Sequence, residues 1–114
     1  MTKLVHKNNQ IIEEFLLYQK NIKKLSKYTL KSYRVDLEQL SLFLDKSFKS
    51  KILLNIDKQV VRNYLIILDK KKYSSKTIAR KVASLKSLFK YLNQQNIISQ
   101  NPISEIKIPK VSKR

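Results

Sequence analysis

Not one of the 114 residues is glycine. Tight hairpins and phosphate-cradling loops need positions of positive φ, which glycine fills at the least steric cost. A chain without it is steered away from β-sandwiches and α/β folds, toward helices joined by loose polar loops. The two prolines, Pro102 and Pro109, lie near the C-terminus, so nothing upstream interrupts a helical pattern. The length fits one domain with a modest core. A hydrophobic content of 42% supports a packed interior rather than disorder.

Four helical segments can be read. The first spans about Asn9 to Lys20, with Ile12, Phe15, Leu16 and Gln19 on one side and Glu13 and Glu14 in its first turn, at the positive end of the dipole. The second opens at Ser26, an N-cap with Leu25 as a staple before it, and carries Leu30, Tyr33, Leu37, Leu40, Ser41 and Leu44 at helical spacing. Phe48 to Leu54 reads as a loop. The third is capped by Asp57, buries Val61, Tyr64, Leu65 and Leu68, and ends in "DKKKY". The fourth is capped by Ser74 or Ser75, and its buried stripe is Ile78, Val82, Leu85, Phe89 and Leu92. Asn96 is placed to end it in the left-handed conformation that other chains give to glycine. A short turn with Ile103 and Ile106 follows, and "KIPKVSKR" has the look of a linker.

Several chemistries are excluded. There is no cysteine and a single histidine, His6, so neither a zinc site nor a catalytic triad is expected. Without glycine there is no P-loop or dinucleotide fingerprint. The few carboxylates are scattered and the tyrosines stand without a His/Arg constellation. The reading is of a non-enzyme with no cofactor and no small-molecule substrate. No apolar run is long enough for a signal peptide or a membrane span, which predicts a soluble, cytoplasmic chain.

Charge is the remaining signal: 25 Lys and Arg against 8 Asp and Glu, or +17. An AT-rich codon bias raises lysine without a functional cause, but it should raise glutamate too, and only four are present. Nucleic acid is the expected partner. The fourth helix makes the case locally, since "SSKTIARKVASLKSLFKYL" contains Arg80, Lys81, Lys86 and Lys90 and no acid. Its predicted solvent side holds Lys76, Arg80, Ala83, Ser84, Ser87, Lys90 and Tyr91, where small residues permit close approach and cations supply attraction. Arg80 sits about one turn in, where a helix entering the major groove reads bases or clamps phosphate. Ser75 and Thr77, with the first-turn N–H groups, form a phosphate seat. The second helix repeats the pattern with Ser26, Lys27, Thr29 and Lys31, with Ser32 and Gln39 facing away from the core. Arg34 lies nearer the apolar stripe and is read as snorkelling over it.

Three stretches carry a family resemblance: S-x-x-T-x-x-x-Y-x-x-D-L (Ser26, Thr29, Tyr33, Asp36, Leu37), S-x-x-T-I-x-R followed by S-L-x-x-L-F-x-Y-L (Ser74, Thr77, Ile78, Arg80 and onward), and N-P … P-K (Asn101, Pro102, Pro109, Lys110). In this order they resemble the N-terminal core-binding domain of tyrosine recombinases, especially Xer-type enzymes and phage or transposon integrases. The "NQQN" turn stands where that family usually has a glycine before N-P. The resemblance implies an orthogonal, SAM-like bundle of four main helices plus a short C-terminal turn. It implies one half of a clamp on double-stranded DNA, with the second and fourth helices toward the major groove. By position it assigns contacts to Ser26, Thr29, Lys31, Ser32, Lys76, Thr77, Arg80, Ser84 and Ser87, and backbone contacts to Lys107, Lys110, Lys113 and Arg114. It also implies a helical domain over 1–106, a linker start over 107–114, a catalytic domain outside this chain, and other recombinase protomers as partners.

Two rivals remain open at this level. One is a helical protein-interaction module for an acidic partner. The other is a basic protein on a membrane surface, disfavoured because the apolar stripes are needed for the core.

Overall fold

The computed structural model describes residues 3–47 and 52–106. Among them the chain is all-helical, as the missing glycine predicts: α1 (Lys3–Asn21), α2 (Lys27–Ser47), α3 (Lys58–Lys70) and α4 (Ser75–Gln94), with a 3-10 turn at Leu53–Asn55. The chain divides between Asn55 and Ile56 into two compact units.

In the first unit α1 packs along α2. The predicted stripe Ile12, Phe15, Leu16 and Gln19 is buried, and α2 contributes Leu37, Leu40, Ser41 and Leu44. Tyr33 is half-buried, its ring 5.5 Å from that of Phe15. Asp36 is fully buried, which apolar spacing alone does not foresee.

The first helix differs from expectation at its start. It begins at Lys3, not Asn9, because Asn8 is not a frayed end: it is 1% exposed, and its Oδ1 accepts the Leu53 N–H at 2.8 Å. Glu13 and Glu14 therefore lie in mid-helix, and the helix-dipole role assigned to them is corrected. Replacing Asn8 by Ala would leave the Leu53 N–H buried without an acceptor. We expect a loss of about 1–3 kcal/mol, measured by urea unfolding.

In the second unit Asp57 caps α3, its Oδ1 accepting from the Val60 N–H at 3.0 Å. Val60, Val61, Tyr64 and Leu68 are buried, whereas Leu65 is half-buried. The C-terminal turn over 102–105 is built by Asn101, whose Oδ1 accepts the Ile103 N–H at 3.0 Å. It buries Ile103 and Ile106, and Lys58 reaches Glu105 at 3.3 Å to tie the turn to the start of α3.

The expected stripe on α4 is buried in full, but the buried arc is wider than the stripe. It adds Leu88, Lys81 and Ser84. At about 100° per residue the whole set covers roughly 160° of the helix, against the roughly 80° of the stripe alone.

Among the described residues, three carry positive φ: Lys24 (57°), Lys72 (62°) and Asn96 (60°). Each stands where a helix ends. At Asn96 the cap is a Schellman motif, with the Ile97 N–H on Leu92 O at 2.9 Å and the Asn96 N–H on Asn93 O at 3.1 Å. Asparagine tolerates this region, and lysine does so less well. Lys72→Gly should therefore stabilise the protein by about 0.5–1 kcal/mol net of the extra unfolded-chain entropy, read as a melting point several degrees higher. Among the described residues no helix is long and apolar enough to cross a membrane.

Candidate nucleic-acid interface

The Ser/Thr pairs that open α2 and α4 have the same local geometry. Ser26 Oγ accepts the Thr29 N–H at 3.3 Å and donates to Thr29 Oγ1 at 3.2 Å. Ser74 Oγ accepts the Thr77 N–H at 3.1 Å and donates to Thr77 Oγ1 at 3.0 Å. The shared S-x-x-T start is thus a capping device: it uses the hydroxyl protons of Ser26 and Ser74, while Thr29 and Thr77 act in it as acceptors and keep an O–H able to donate. What it leaves open on α4 is the N–H groups of Ser75 and Lys76, which have no intrahelical acceptor. Ser74 rather than Ser75 is the cap.

On α4 the exposed side carries Lys76, Arg80, Ala83 and Lys90, with Thr77, Ser87 and Tyr91 half-buried. Ser84 departs from expectation. It is 1% exposed and cannot present its hydroxyl to a ligand, because the buried arc extends past the apolar stripe to its side of the helix. Lys81 also turns inward: it is 4% exposed, its Nζ 5.3 Å above the Tyr73 ring. The π-face supplies part of the solvation the ammonium gives up. Lys86 is half-buried. The usable charge on this face is accordingly Lys76, Arg80 and Lys90.

A further set of cations, the lysines of "DKKKY", suits a helix C-terminus and is not among the residues that the sequence assigns to binding. Lys70, Lys71 and Lys72 are all exposed and lead through Tyr73 into the start of α4. A run of three lysines two residues before an N-cap was the available signal.

On α2, Lys27 and Lys31 are exposed, Thr29 and Ser32 half-buried. Tyr28 stands 74% exposed with Lys27 Nζ 5.5 Å over its ring. An exposed aromatic beside cations offers stacking as well as charge. Gln39, expected to face away from the core, is half-buried with its side-chain oxygen covered. Arg34 does not snorkel. It makes a paired contact with Glu13 on α1, through Nη1 to Oε2 and Nη2 to Oε1 (the latter 2.9 Å), with Glu38 3.7 Å away one turn on. The guanidinium's hydrogen bonds hold the Glu13 carboxyl below its ordinary range. The pair is half-exposed, so it orients α1 on α2 more than it stabilises them. Lys107 and Lys110, with Lys113 and Arg114, lie outside the described residues.

Among the described residues no group of His, Cys, Asp and Glu side chains is placed to hold a metal ion. Residues 12–96 match the model of the phage integrase N-terminal SAM-like domain. Among curated proteins, the chain is 34% identical over 111 residues to tyrosine recombinase XerC of Syntrophus aciditrophicus, covering 92% of this chain and 36% of that protein. It is 36% identical over 107 residues to XerC of Roseiflexus castenholzii, covering 92% and 33%. A tyrosine recombinase of Agathobacter rectalis is 37% identical over 98 residues, covering 85% and 30%. The chain spans about a third of the length of these relatives. No solved structure shows a significant match.

Proposed function

Because the chain belongs to the phage integrase N-terminal SAM-like domain family, we propose that it is the duplex-binding part of a site-specific tyrosine recombinase, gripping one recombination half-site. The observation that carries this reading is the α4 face. Lys76, Arg80 and Lys90 are exposed on a helix with no acid anywhere in it, fed by Lys70–Lys72 at its entry. Lys76 and the open first-turn N–H groups seat a phosphate, and Arg80 reaches a base edge or a second phosphate. On α2, Lys27 and Lys31 bind phosphate, Tyr28 stacks on an exposed sugar or base, and Ser32 supplies a weaker polar contact. Ser26 acts indirectly, by fixing the helix end from which the cations project, and the Thr29 and Thr77 hydroxyls, acceptors in the caps, donate to phosphate oxygens. Residues 1–106 serve as the binding domain, and 107–114, with Lys107 and Lys110, lead toward the catalytic part of the recombinase. Strand cleavage and rejoining belong to that part, and contacts with other protomers form in the synaptic complex.

Counterion release supplies the test. A module of this size neutralising about five phosphates should lose roughly 100- to 1,000-fold in duplex affinity between about 50 and 200 mM salt. Fluorescence anisotropy with a labelled duplex measures it. Affinity that is flat with salt, or no binding at the lower concentration, would refute the reading.

A further inference from the structure

Within the first unit, a groove of about 400 Å³ runs between α1 and α2. Its floor is aliphatic: Leu16, Leu17 and Leu30. Leu17 is 56% exposed, and Leu30, which helical spacing assigns to the core, is only half-buried. Its rim is cationic, with Lys20, Lys27 and Lys31 all exposed. The one carboxylate on the rim, Glu13, is already engaged by Arg34.

These features call for an occupant with two properties together. It must carry negative charge to meet three lysines, and an apolar side chain to cover the leucines. A phosphate backbone meets the first demand and has nothing for the second. A further copy of this chain, at +17, meets the second and opposes the first. We propose that the groove docks an acidic segment of a partner protein, with a leucine-like anchor on Leu17 and Leu30 and Asp or Glu side chains on Lys20, Lys27 and Lys31. Such recognition is the amphipathic-segment-in-groove mode with its polar rim reversed in charge relative to the ligand. The inference does not depend on the duplex reading. Where both hold, Lys27 and Lys31 serve two ligands, and the acidic segment excludes duplex from α2.

The test is a titration of the methyl- and amide-labelled 114-residue chain with a short helical peptide carrying leucine at i, i+3, i+4 and i+7 and glutamate on the flanks of that stripe. Three comparison ligands are the same peptide with serine for leucine, a short duplex, and vesicles of anionic phospholipid. The leucine-bearing peptide should move the Leu17 and Leu30 methyl signals. Leu17→Gln and, separately, Lys20→Glu should each weaken it about tenfold, the loss expected for one buried aliphatic anchor or one desolvated charge contact. Both residues are exposed, so an unchanged melting temperature by helix circular dichroism serves as the control for folding. Equal binding of the serine peptide, or movement of these methyls by duplex or vesicles but not by the peptide, overturns the proposal. A failure of the duplex reading would appear elsewhere, at the amides of Lys76 and Arg80.

Discussion

Reversing the charge of Lys76 and Arg80 together (Lys76→Glu, Arg80→Glu) should cut duplex affinity by about 100-fold or more. Each cation that binds phosphate or a base edge is worth roughly 1–3 kcal/mol, and a carboxylate in its place adds repulsion. The salt slope should shrink by about 2, one unit for each lost contact. Both residues are exposed, so the substitutions should leave the fold intact. Glutamate at position 76 also lies in the first turn of α4, where a negative charge favours the helix dipole. Loss of binding with an unchanged melting temperature therefore assigns the effect to the interface. Ser84→Ala is the internal contrast: it should leave duplex affinity unchanged, since the hydroxyl is buried. Retention of near wild-type affinity by the double reversal would remove the α4 face from the binding surface.

The sequence revealed where helices begin and end more securely than where they are covered. Caps are local chemistry: Asp57, Ser26, Ser74 and Asn96 act on residues within a few positions of themselves, and each does what its side chain predicts. The start of α1 is the exception that shows why. Its first turns include Asn8, which accepts a hydrogen bond from the Leu53 N–H, a partner 45 positions away that no local window contains. Burial is non-local in the same sense. Spacing of apolar residues located the centre of the α4 stripe, but its width depends on how much surrounds the helix, and that extra width covers Ser84 and Lys81. Ser84 is small enough to sit beneath neighbours without an apolar signature, and Lys81 uses the Tyr73 ring. Asp36 was visible only as part of a motif, and its complete burial has no counterpart in hydrophobic periodicity. Arg34 was read as lying near the stripe, but its partner Glu13 sits on another helix, so the pairing was out of reach. The candidate binding residues that are exposed as expected, Lys76, Arg80, Lys90, Lys27 and Lys31, are long and charged, so their exposure follows from side-chain chemistry alone.

The opposite side of α4 gives the other large expected effect. Phe89 is fully buried at the centre of the stripe, between Leu85 and Leu92 along the helix. Phe89→Ala removes a whole ring from a close-packed interior and leaves a cavity that its neighbours fill only in part, at a cost of about 3–5 kcal/mol. A chain of this length has roughly 5–15 kcal/mol of stability in all, so one substitution takes a large share of it. Thermal unfolding should move down by about 15 °C, monitored by helix circular dichroism. Phe89→Leu, which keeps most of the volume, should lose distinctly less, whereas Lys90→Ala, the next residue but on the exposed side, should stay within about 0.5 kcal/mol of wild type. Binding should follow the reverse order. At a temperature where Phe89→Ala is still folded, its duplex affinity should be close to wild type, because Lys76 and Arg80 remain in place; Lys90→Ala should bind more weakly while melting normally. One helix then carries two separable tasks on two faces, and a Phe89→Ala protein that melts like wild type would mean that α4 is not the buried helix described.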